Sequence, residues 1–472
     1  MRNPGILFAL ALAGCATAPG YRAPGISVPP AFRETRDTVV VETLISRTSD
    51  NGADSWSELR DTTLTRLIKE VVRANLDIRA VEARVRGARS ARTEAVLDLA
   101  PTVTFAGGYT RQRLAGATFP IGSGTFPDQD IWDGGFDAAW ELDLFGRVRR
   151  NIQAQGAFVS ATQEDLRDIS VTLTAELARA YFDLRGTQEQ LSVARRNAEN
   201  QRRTLDVTRE RLDAGRGTRF DTERALAQLS FTLASIPPLE SRVRQSQYQI
   251  ATLVGRPPAS VAGELDAVAP LPPLPVVVLV DTPDSVVRRR PDVTAAERQL
   301  AVERALVGAA KADYLPRITV GGSAGYSSSA FGTLGDRGTF RYMVGPVVSW
   351  PALNLGRVKA RVGISRARES EAQARYDQTV LLALQEVETS LVRYRSARSR
   401  VDRIQDAAAA SERAAELARL RFTEGVAGFL DVLDAERTQL EAETQLAQAR
   451  TEAATAYAAL YKALGGTWPS SS

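Results

Sequence analysis

A pair of helical patterns joined by a short turn, between Gly356 and Gly465, constrains this chain more than any other feature. No proline or glycine interrupts residues 364–424, and a turn around Gly425 and Gly428 follows. A mean apolar spacing of about 3.5 residues keeps one stripe facing a partner, and at about 1.5 Å per residue such a helix approaches 100 Å. The sequence therefore predicts a long hairpin that packs against other helices. Its stripe consists of Tyr376, Val380, Ala383, Val387, Leu391, Tyr394, Val401, Ile404 and Ala408, with one break at Arg398.

The residue types on which most enzymes rely are scarce. The sequence contains no histidine, one cysteine and two methionines. Histidine is the commonest general base and metal ligand, and thiols and thioethers are the soft metal ligands. We therefore expect no catalytic activity, no metal and no cofactor. The missing residue types do not exclude an enzyme that uses carboxylates or lysine.

Charge and hydropathy narrow the class further. The 60 basic and 56 acidic side chains leave a net charge of +4 and are mixed along the chain. Nucleic-acid binding usually requires a basic patch, so we expect no nucleic-acid partner. No apolar run reaches the roughly 18 residues of a membrane-spanning helix.

The N-terminus has the plan of an export signal, with a positive start, a short apolar core and the sequence Leu12-Ala13-Gly14-Cys15. This stretch resembles the bacterial lipobox, in which cleavage before the cysteine leaves a site for acyl chains. The resemblance implies a lipoprotein signal peptide at residues 1–14, lipidation with palmitate at Cys15 and a lipidated tether at residues 15–60. Ala16 rather than aspartate follows, which by the usual sorting pattern favours the outer membrane. A plain signal peptide with an incidental cysteine is the alternative.

The chain contains the same order of predicted elements twice. Each half begins with a helix, continues with two strands and ends in a helical hairpin. The opening helices are predicted to run unbroken from near Asp61 to Leu99 and from Pro283 to Tyr314. The first repeat is predicted at residues 61–256, with strands at about 101–113 and 134–144 and a hairpin at 146–255. The second repeat is predicted at residues 283–466, with strands at about 316–329 and 339–350 and a hairpin at 356–465. A proline-rich connector at 257–282 separates the repeats, and a C-terminal tail follows at 467–472.

The two halves also share residues at a constant spacing. From the second strand of each half onward the spacing is 210 residues, so Trp140 corresponds to Trp350 and Gly146-Arg147-Val148 to Gly356-Arg357-Val358. In the opening helices the spacing is 215 residues. A register kept over two long helical stretches predicts a tandem duplication.

The four predicted strands alternate an apolar face with a small or polar face. Each is long enough to cross a bilayer when tilted, and the alternation is the lipid-out, lumen-in pattern of a membrane barrel. A soluble sandwich with one wet face is the alternative. Four strands cannot close a barrel, so the barrel interpretation requires several chains. The aromatic residues near the strand ends, expected to form the barrel girdle, are Trp140, Tyr326, Tyr342 and Trp350.

With these features the chain resembles the TolC-like outer-membrane efflux proteins, in the lipoprotein branch typified by OprM and NodT-type factors. The resemblance covers essentially the whole mature chain. It rests on the lipobox and on five stretches, Asn75–Ala80, Trp140–Arg147, Arg211–Asp221, Arg421–Arg437 and Leu460–Gly466.

The resemblance implies a mixed α and β membrane protein in which three protomers share a twelve-stranded outer-membrane β-barrel. The barrel would be continuous with a long periplasmic α-helical coiled-coil barrel. The expected partners are two further copies of this chain, outer-membrane lipid, a periplasmic adaptor and an inner-membrane pump of the RND type. The expected location is the outer membrane, with a lipid anchor and a large periplasmic part.

The resemblance also assigns a role to the hairpin turns, which in the family form the periplasmic mouth and meet the adaptor. The candidate adaptor-contacting residues are Arg211, Gly215, Gly217 and Thr218 in the first turn and Arg421, Gly425, Val426 and Gly428 in the second.

The family also places a narrow periplasmic aperture just after the second turn, at the positions of Leu430, Asp431 and Asp434. Helix capping is the alternative role for Asp431. Some relatives carry a basic residue that holds the mouth shut where this chain has residues 426–428. Arg421 or Arg219 is the candidate substitute.

The predicted function is a passive outer-membrane exit duct of a tripartite efflux system that carries small toxic compounds or drugs. Two alternatives remain, a duct for type I protein secretion and a periplasmic coiled-coil scaffold or adaptor without a pore. An enzyme is a third and weaker hypothesis.

Overall fold

The computed structural model describes residues 28–35, 59–115, 127–275 and 280–466, together with Gly25 and Trp56. The predicted signal peptide, Cys15 and the tail at 467–472 lie outside these residues. Within the described part, no helix contains a stretch long and apolar enough to cross a membrane.

Both halves of the chain have the same order of elements. In the first half these are α1 (Thr62–Ala74), α2 (Leu76–Leu97), β1 (Thr102–Gln112), β2 (Gln129–Leu142), α3 (Arg147–Asp213) and α4 (Arg219–Leu253). In the second half they are α5 (Pro283–Arg289), α6 (Pro291–Ala312), β3 (Arg317–Ser328), β4 (Phe340–Ser349), α7 (Leu355–Thr423) and α8 (Phe429–Ala463).

The long hairpin predicted after Gly356 is present. Helix α7 runs unbroken for 69 residues and α8 for 35. Most of the predicted stripe is buried, including Tyr376, Val387 and Leu391. Helix α3 is the matching 67-residue helix of the first half. Long helices are therefore present at the start of both predicted hairpins.

The prediction that each opening helix is unbroken was wrong. The first breaks at Asn75, whose extended backbone separates α1 from α2. The Asn75 side-chain oxygen accepts hydrogen bonds from the N–H groups of Asp77 and Ile78 at 2.8 and 3.2 Å and so caps α2. Its amide donates to the carbonyl of Leu253 at 2.8 Å.

The second opening helix breaks at Arg290, which precedes Pro291 and is therefore driven into an extended conformation. The Arg290 guanidinium donates to the Ala463 carbonyl at 2.6 Å and forms ion pairs with Asp292 and Glu386 at 2.8 and 2.7 Å. Arg290 lies 215 residues after Asn75, and Ala463 lies 210 residues after Leu253. At each break, a side chain therefore donates a hydrogen bond to the last residue of the second hairpin helix of the same half.

The four strands form one antiparallel sheet in the order β1-β2-β3-β4. Phe105 pairs with Phe136, Phe136 with Ala324, and Ala324 with Tyr342, which places one apolar row across all four strands. Strand β2 begins at Gln129, earlier than the predicted start at residue 134. Among the described residues, no further strand covers the outer edges of β1 and β4.

The chain divides into two compact units, each drawn from both halves. One contains the sheet and comprises Arg84–Gln163 and Ala295–Asp377, and the other comprises the described residues of Gly25–Ala83, Glu164–Thr294 and Gln378–Ser472. In the second unit, a cluster of buried side chains surrounds Trp56, Tyr181 and Phe182. Burial, with a hydrogen bond to Asp61, raises the pKa of Tyr181 to about 12, so its hydroxyl remains a donor.

Candidate functional site

The two hairpin turns end their helices in the same way. Gly215 and Gly425 have positive φ angles of 69° and 80°, the left-handed conformation that glycine adopts without steric cost. Arg216 donates its N–H to the Arg211 carbonyl at 2.8 Å, and Val426 donates to the Arg421 carbonyl at 2.9 Å. These bonds satisfy the last helical carbonyls in a Schellman arrangement. The predicted role of both glycines as helix ends is confirmed.

The next helices begin with an aspartate three residues after the cap. Thr218 caps α4 by accepting the N–H of Asp221 at 3.2 Å, and its hydroxyl donates to the Asp221 carboxylate at 2.6 Å. In the second turn the cap residue is Gly428, and the Asp431 carboxylate accepts the Gly428 N–H at 3.2 Å. Asp431 is therefore not the cap residue itself, but it does stabilise the start of α8.

The start of α8 has two distinct faces. Phe429 and Val432 are buried between the helices. The predicted aperture residues Leu430, Asp431 and Asp434 lie on the opposite face and are exposed, with 54% of Leu430 accessible. The side chains that fill the hairpin core are thus separated from those that are free to face a partner.

The two turns are held together by Arg211. Its guanidinium lies 4.2 Å from the ring centroid of Phe422, close enough for a cation–π interaction, and Phe422 packs on Phe429 at 5.9 Å. Arg211 was predicted to contact an adaptor, but in this structure it joins the first turn to the second. Of the other predicted contact residues, Gly217 is half-buried, and Gly215, Thr218, Arg421, Gly425, Val426 and Gly428 are exposed.

Sequence reasoning missed two cations beside the predicted aperture. Leu430 and Asp434 line a depression of about 450 Å³ between α4 and α8, together with Arg224 and Arg437. Neither arginine has a carboxylate partner among the described residues. Arg224 lies 210 residues before Asp434, so the repeat register could have identified it as the matching position.

Arg219 and Arg421, the candidate substitutes for the basic residue that holds the mouth shut in some relatives, differ in their ion-pair partners. Arg219 pairs with Glu223 on its own helix at 3.7 Å, and both side chains are exposed. Arg421 has no carboxylate partner within the described residues. Arg421 therefore resembles Arg224 and Arg437, which also have no carboxylate partner among the described residues.

A buried polar layer fixes α8 against α3 and α7 further from the turn. Glu436, which is 2% exposed, accepts a hydrogen bond from the Thr204 hydroxyl at 2.8 Å and pairs with Arg419 at 2.9 Å. Arg419 also donates to Gln439 at 2.9 Å. Each ion thus has several partners, as a buried pair requires.

Within the described residues, no group of three or more histidine, cysteine, aspartate or glutamate side chains could hold a metal ion.

In the sheet, the predicted girdle residues lie on the apolar face and are all exposed. Trp140 donates its indole N–H to the Leu99 carbonyl at 2.8 Å, and Trp350 donates to the Tyr314 carbonyl at 3.1 Å. The indoles therefore occupy equivalent places in the two halves, where a strand ends near a helix. Tyr326 and Tyr342 lie near the other end of the sheet and flank Phe340.

The opposite face of the sheet carries small residues and ion pairs. Arg341 on β4 reaches Asp133 on β2 at 2.7 Å, across β3, where Gly325 leaves room for the side chain. An added Cβ at Gly325 would lie 2.5 Å from a backbone oxygen of β2, so only glycine fits there. This face is therefore polar, and at Gly325 it has no room for a side chain.

The combination of a small amphipathic sheet with two long helical hairpins is shared with solved outer-membrane channels. The model of the outer membrane efflux protein family matches residues 67–256 and 282–466, and the chain belongs to this family. It is a channel protein rather than an enzyme.

Individual relatives align over nearly the whole chain. The outer membrane protein OprJ of Pseudomonas aeruginosa is 29% identical over 99% of this chain and 97% of its own length. The antibiotic efflux pump outer membrane protein ArpC of Pseudomonas putida is 28% identical over 98% and 94%. The solved outer-membrane channel OprN superposes with a TM-score of 0.87 at 35% identity, over 96% of this chain and 99% of that one.

Proposed function

We propose that this chain is one subunit of a trimeric exit duct in the outer membrane. Three copies would each contribute four strands to a twelve-stranded barrel and two hairpins to a periplasmic helical barrel. The observation that carries the proposal is a sheet whose aromatic face is exposed and whose edge strands β1 and β4 lack partners among the described residues. Unsatisfied backbone groups cost several kcal/mol each in hydrocarbon, so such a sheet requires neighbours.

The strand edges offer a way to close the barrel. If β4 of one copy pairs with β1 of the next, every edge is satisfied and no free strand remains. The number of copies, three, comes from the family resemblance. The fit of the family model to two separate stretches supports the internal duplication of the chain.

The cargo and partners follow from the same interpretation. The duct would receive small toxic compounds or drugs from an inner-membrane pump, of the RND type, through a periplasmic adaptor that meets the hairpin turns. The name of ArpC, an antibiotic efflux pump component, supports small molecules over secreted proteins as cargo. The exposed Val426 and Arg421 are available for the adaptor, whereas Arg211 is engaged by Phe422.

The exposed face at the start of α8 is proposed as the closed end of the duct. Three copies of Asp431 and Asp434 would ring the axis, with Leu430 forming an apolar constriction beside them. Arg224 and Arg437, which line the same depression as Asp434, are the cations best placed to hold the mouth shut. They replace Arg219 in this role, because Arg219 is paired with Glu223.

Membrane attachment at Cys15 is the N-terminal part of the proposal. A single acyl chain gives marginal binding, and two or three acyl chains would anchor the N-terminus firmly. Cys15→Ser should abolish metabolic palmitate labelling while the trimer still forms. Labelling that persists in the variant would remove the lipoprotein assignment and leave the duct unaffected.

The trimer itself is tested in outer-membrane fractions. Unheated samples should migrate as a trimer on denaturing gels, and heating should convert them to the monomer. A protein that fractionates with soluble periplasmic contents, or that stays monomeric in mild detergent, would refute the duct.

A further inference from the structure

The two halves of the chain differ where the second strand passes into the long helix. In the first half, Arg147 pairs with Glu141 at 2.5 Å and Arg149 pairs with Asp143 at 3.0 Å. The 210-residue register places Arg357 and Lys359 at the equivalent positions of the second half.

The second half keeps the cations and loses their acids. Pro351 stands at the position of Glu141, and Leu353 stands at the position of Asp143. Within the described residues, the side chains of Arg357, Lys359 and Arg361 have no carboxylate partner. Three positive charges are therefore left without acids.

A cavity of about 360 Å³ lies at this place. Its lining includes Trp350, Arg357 and Arg361. It also includes Asp313, whose carboxylate pairs with Arg317 at 2.6 Å and so contributes no net charge. The cavity therefore has the charge of its two unpaired guanidinium groups.

Leu353 adds an exposed apolar side chain to the same region. Its side chain is 99% exposed, one position before the cavity-lining Asn354, and Trp350 is half exposed. An exposed leucine beside unpaired cations suits a ligand with a negative head and an apolar tail. A free anion would use the cations and leave the leucine in water.

We propose that this cavity binds the phosphate headgroup of an anionic phospholipid, with Leu353 inserted among the acyl chains. The proposal rests on the proposed function, which places the ends of β4 and the start of α7 at the headgroup level of the inner leaflet. Guanidinium groups bind phosphate oxygens with two parallel hydrogen bonds, and indole rings favour the membrane interface. The first half would bind no such lipid, because its cations are neutralised.

Native mass spectrometry of the purified trimer, with phosphatidylglycerol and phosphatidylcholine as competing probes, tests the site. The wild type should retain phosphatidylglycerol preferentially. Replacing both cavity cations, in Arg357→Gln with Arg361→Gln, should lower that retention roughly tenfold or more, at about 1 kcal/mol per cation. Leu353→Asp, which restores the first half's acid and keeps every cation, should lower it as well.

The control is Arg368→Gln, an exposed arginine further along α7, which should retain the lipid like the wild type. Equal retention of the two lipids by the wild type, or wild-type retention by the Leu353→Asp trimer, would overturn the proposal. Millimolar inorganic phosphate should not displace the lipid. If it does, the site binds free anions and the lipid assignment is wrong. A failure to obtain trimers from the wild type would instead count against the duct.

Discussion

At the scale of single residues, Asp168 on α3 is a charge that opposes folding. Burial raises the pKa of its carboxyl, and the nearby Asp292 carboxylate raises it further, against the opposing effect of Lys462 and Arg290. A carboxyl with a raised folded pKa favours folding while it is protonated, and this stabilisation is lost as the pH rises through the folded pKa. At neutral pH the Asp168 charge is therefore destabilising.

Asp168→Asn should raise the melting temperature at pH 7, because the amide carries no charge to desolvate. The gain should shrink on acidification and vanish below about pH 3.9, where the carboxyl is neutral in both states. Thermal unfolding followed by circular dichroism at several pH values measures this, with the exposed Asp402→Asn as the control. A gain that grew toward acid pH would contradict the assignment.

Glu436 illustrates the opposite case, a buried charge with good partners. Glu436→Ala should cost about 1–3 kcal/mol of stability, because it leaves the Thr204 hydroxyl and Arg419 without their acceptor. Glu452 on the same helix pairs with Arg400 at 2.6 Å, but both side chains are about half exposed. Glu452→Ala should cost less than about 1 kcal/mol. Similar losses in the two variants, measured by denaturant unfolding, would be evidence against a role for the buried layer.

At the scale of elements, the hairpin turns depend on one glycine conformation each. Gly425→Ala should cost about 1 kcal/mol, since alanine is strained at a φ of 80°. Val426→Ala is the control, because Val426 is exposed in the same turn and does not have a positive φ. Hydrogen exchange of the amides in residues 421–428 should accelerate in Gly425→Ala and stay near wild type in Val426→Ala. Equal protection in both would show that the turn does not require the left-handed residue.

The long helices and the four strands could be predicted because burial periodicity is a local property of the sequence. Helices α3 and α7 have apolar residues at helical spacing throughout, and the strands alternate. The breaks at Asn75 and Arg290 were missed because the apolar pattern continues across them. The break at Asn75 involves the distant carbonyl of Leu253, which the local sequence does not reveal. The break at Arg290 has a local signal, because Pro291 disfavours the helical conformation at the preceding residue.

The candidate site was predicted in part for a similar reason. Gly215 and Gly425 were identifiable because left-handed helix ends favour glycine. The placement of Arg211 over Phe422 and of Arg224 beside Asp434 depends on packing between helices far apart in the chain. The repeat register would have pointed to Arg224, but only if opposite charges at equivalent positions had been sought.

At the scale of the whole molecule, the duct requires β4 of one copy to pair with β1 of the next. In one chain these strands lie at opposite edges of the sheet, roughly 14 Å apart at about 4.8 Å per strand, which is beyond disulfide reach. Ala106→Cys combined with Gly345→Cys or Met343→Cys should therefore form covalent trimers on non-reducing gels. Ala106→Cys alone should not. Cysteine pairs that never cross-link in any register would argue against this closure.

Single-channel conductance of the purified trimer in a planar bilayer tests the central claim most directly. The wild type should give discrete steps, and Asp431→Ala with Asp434→Ala should give larger ones, because two charges per copy leave the narrow end of the duct. A doubly substituted trimer whose steps match the wild type would contradict the aperture assignment. Inserted trimers that conduct in neither form would contradict the duct itself.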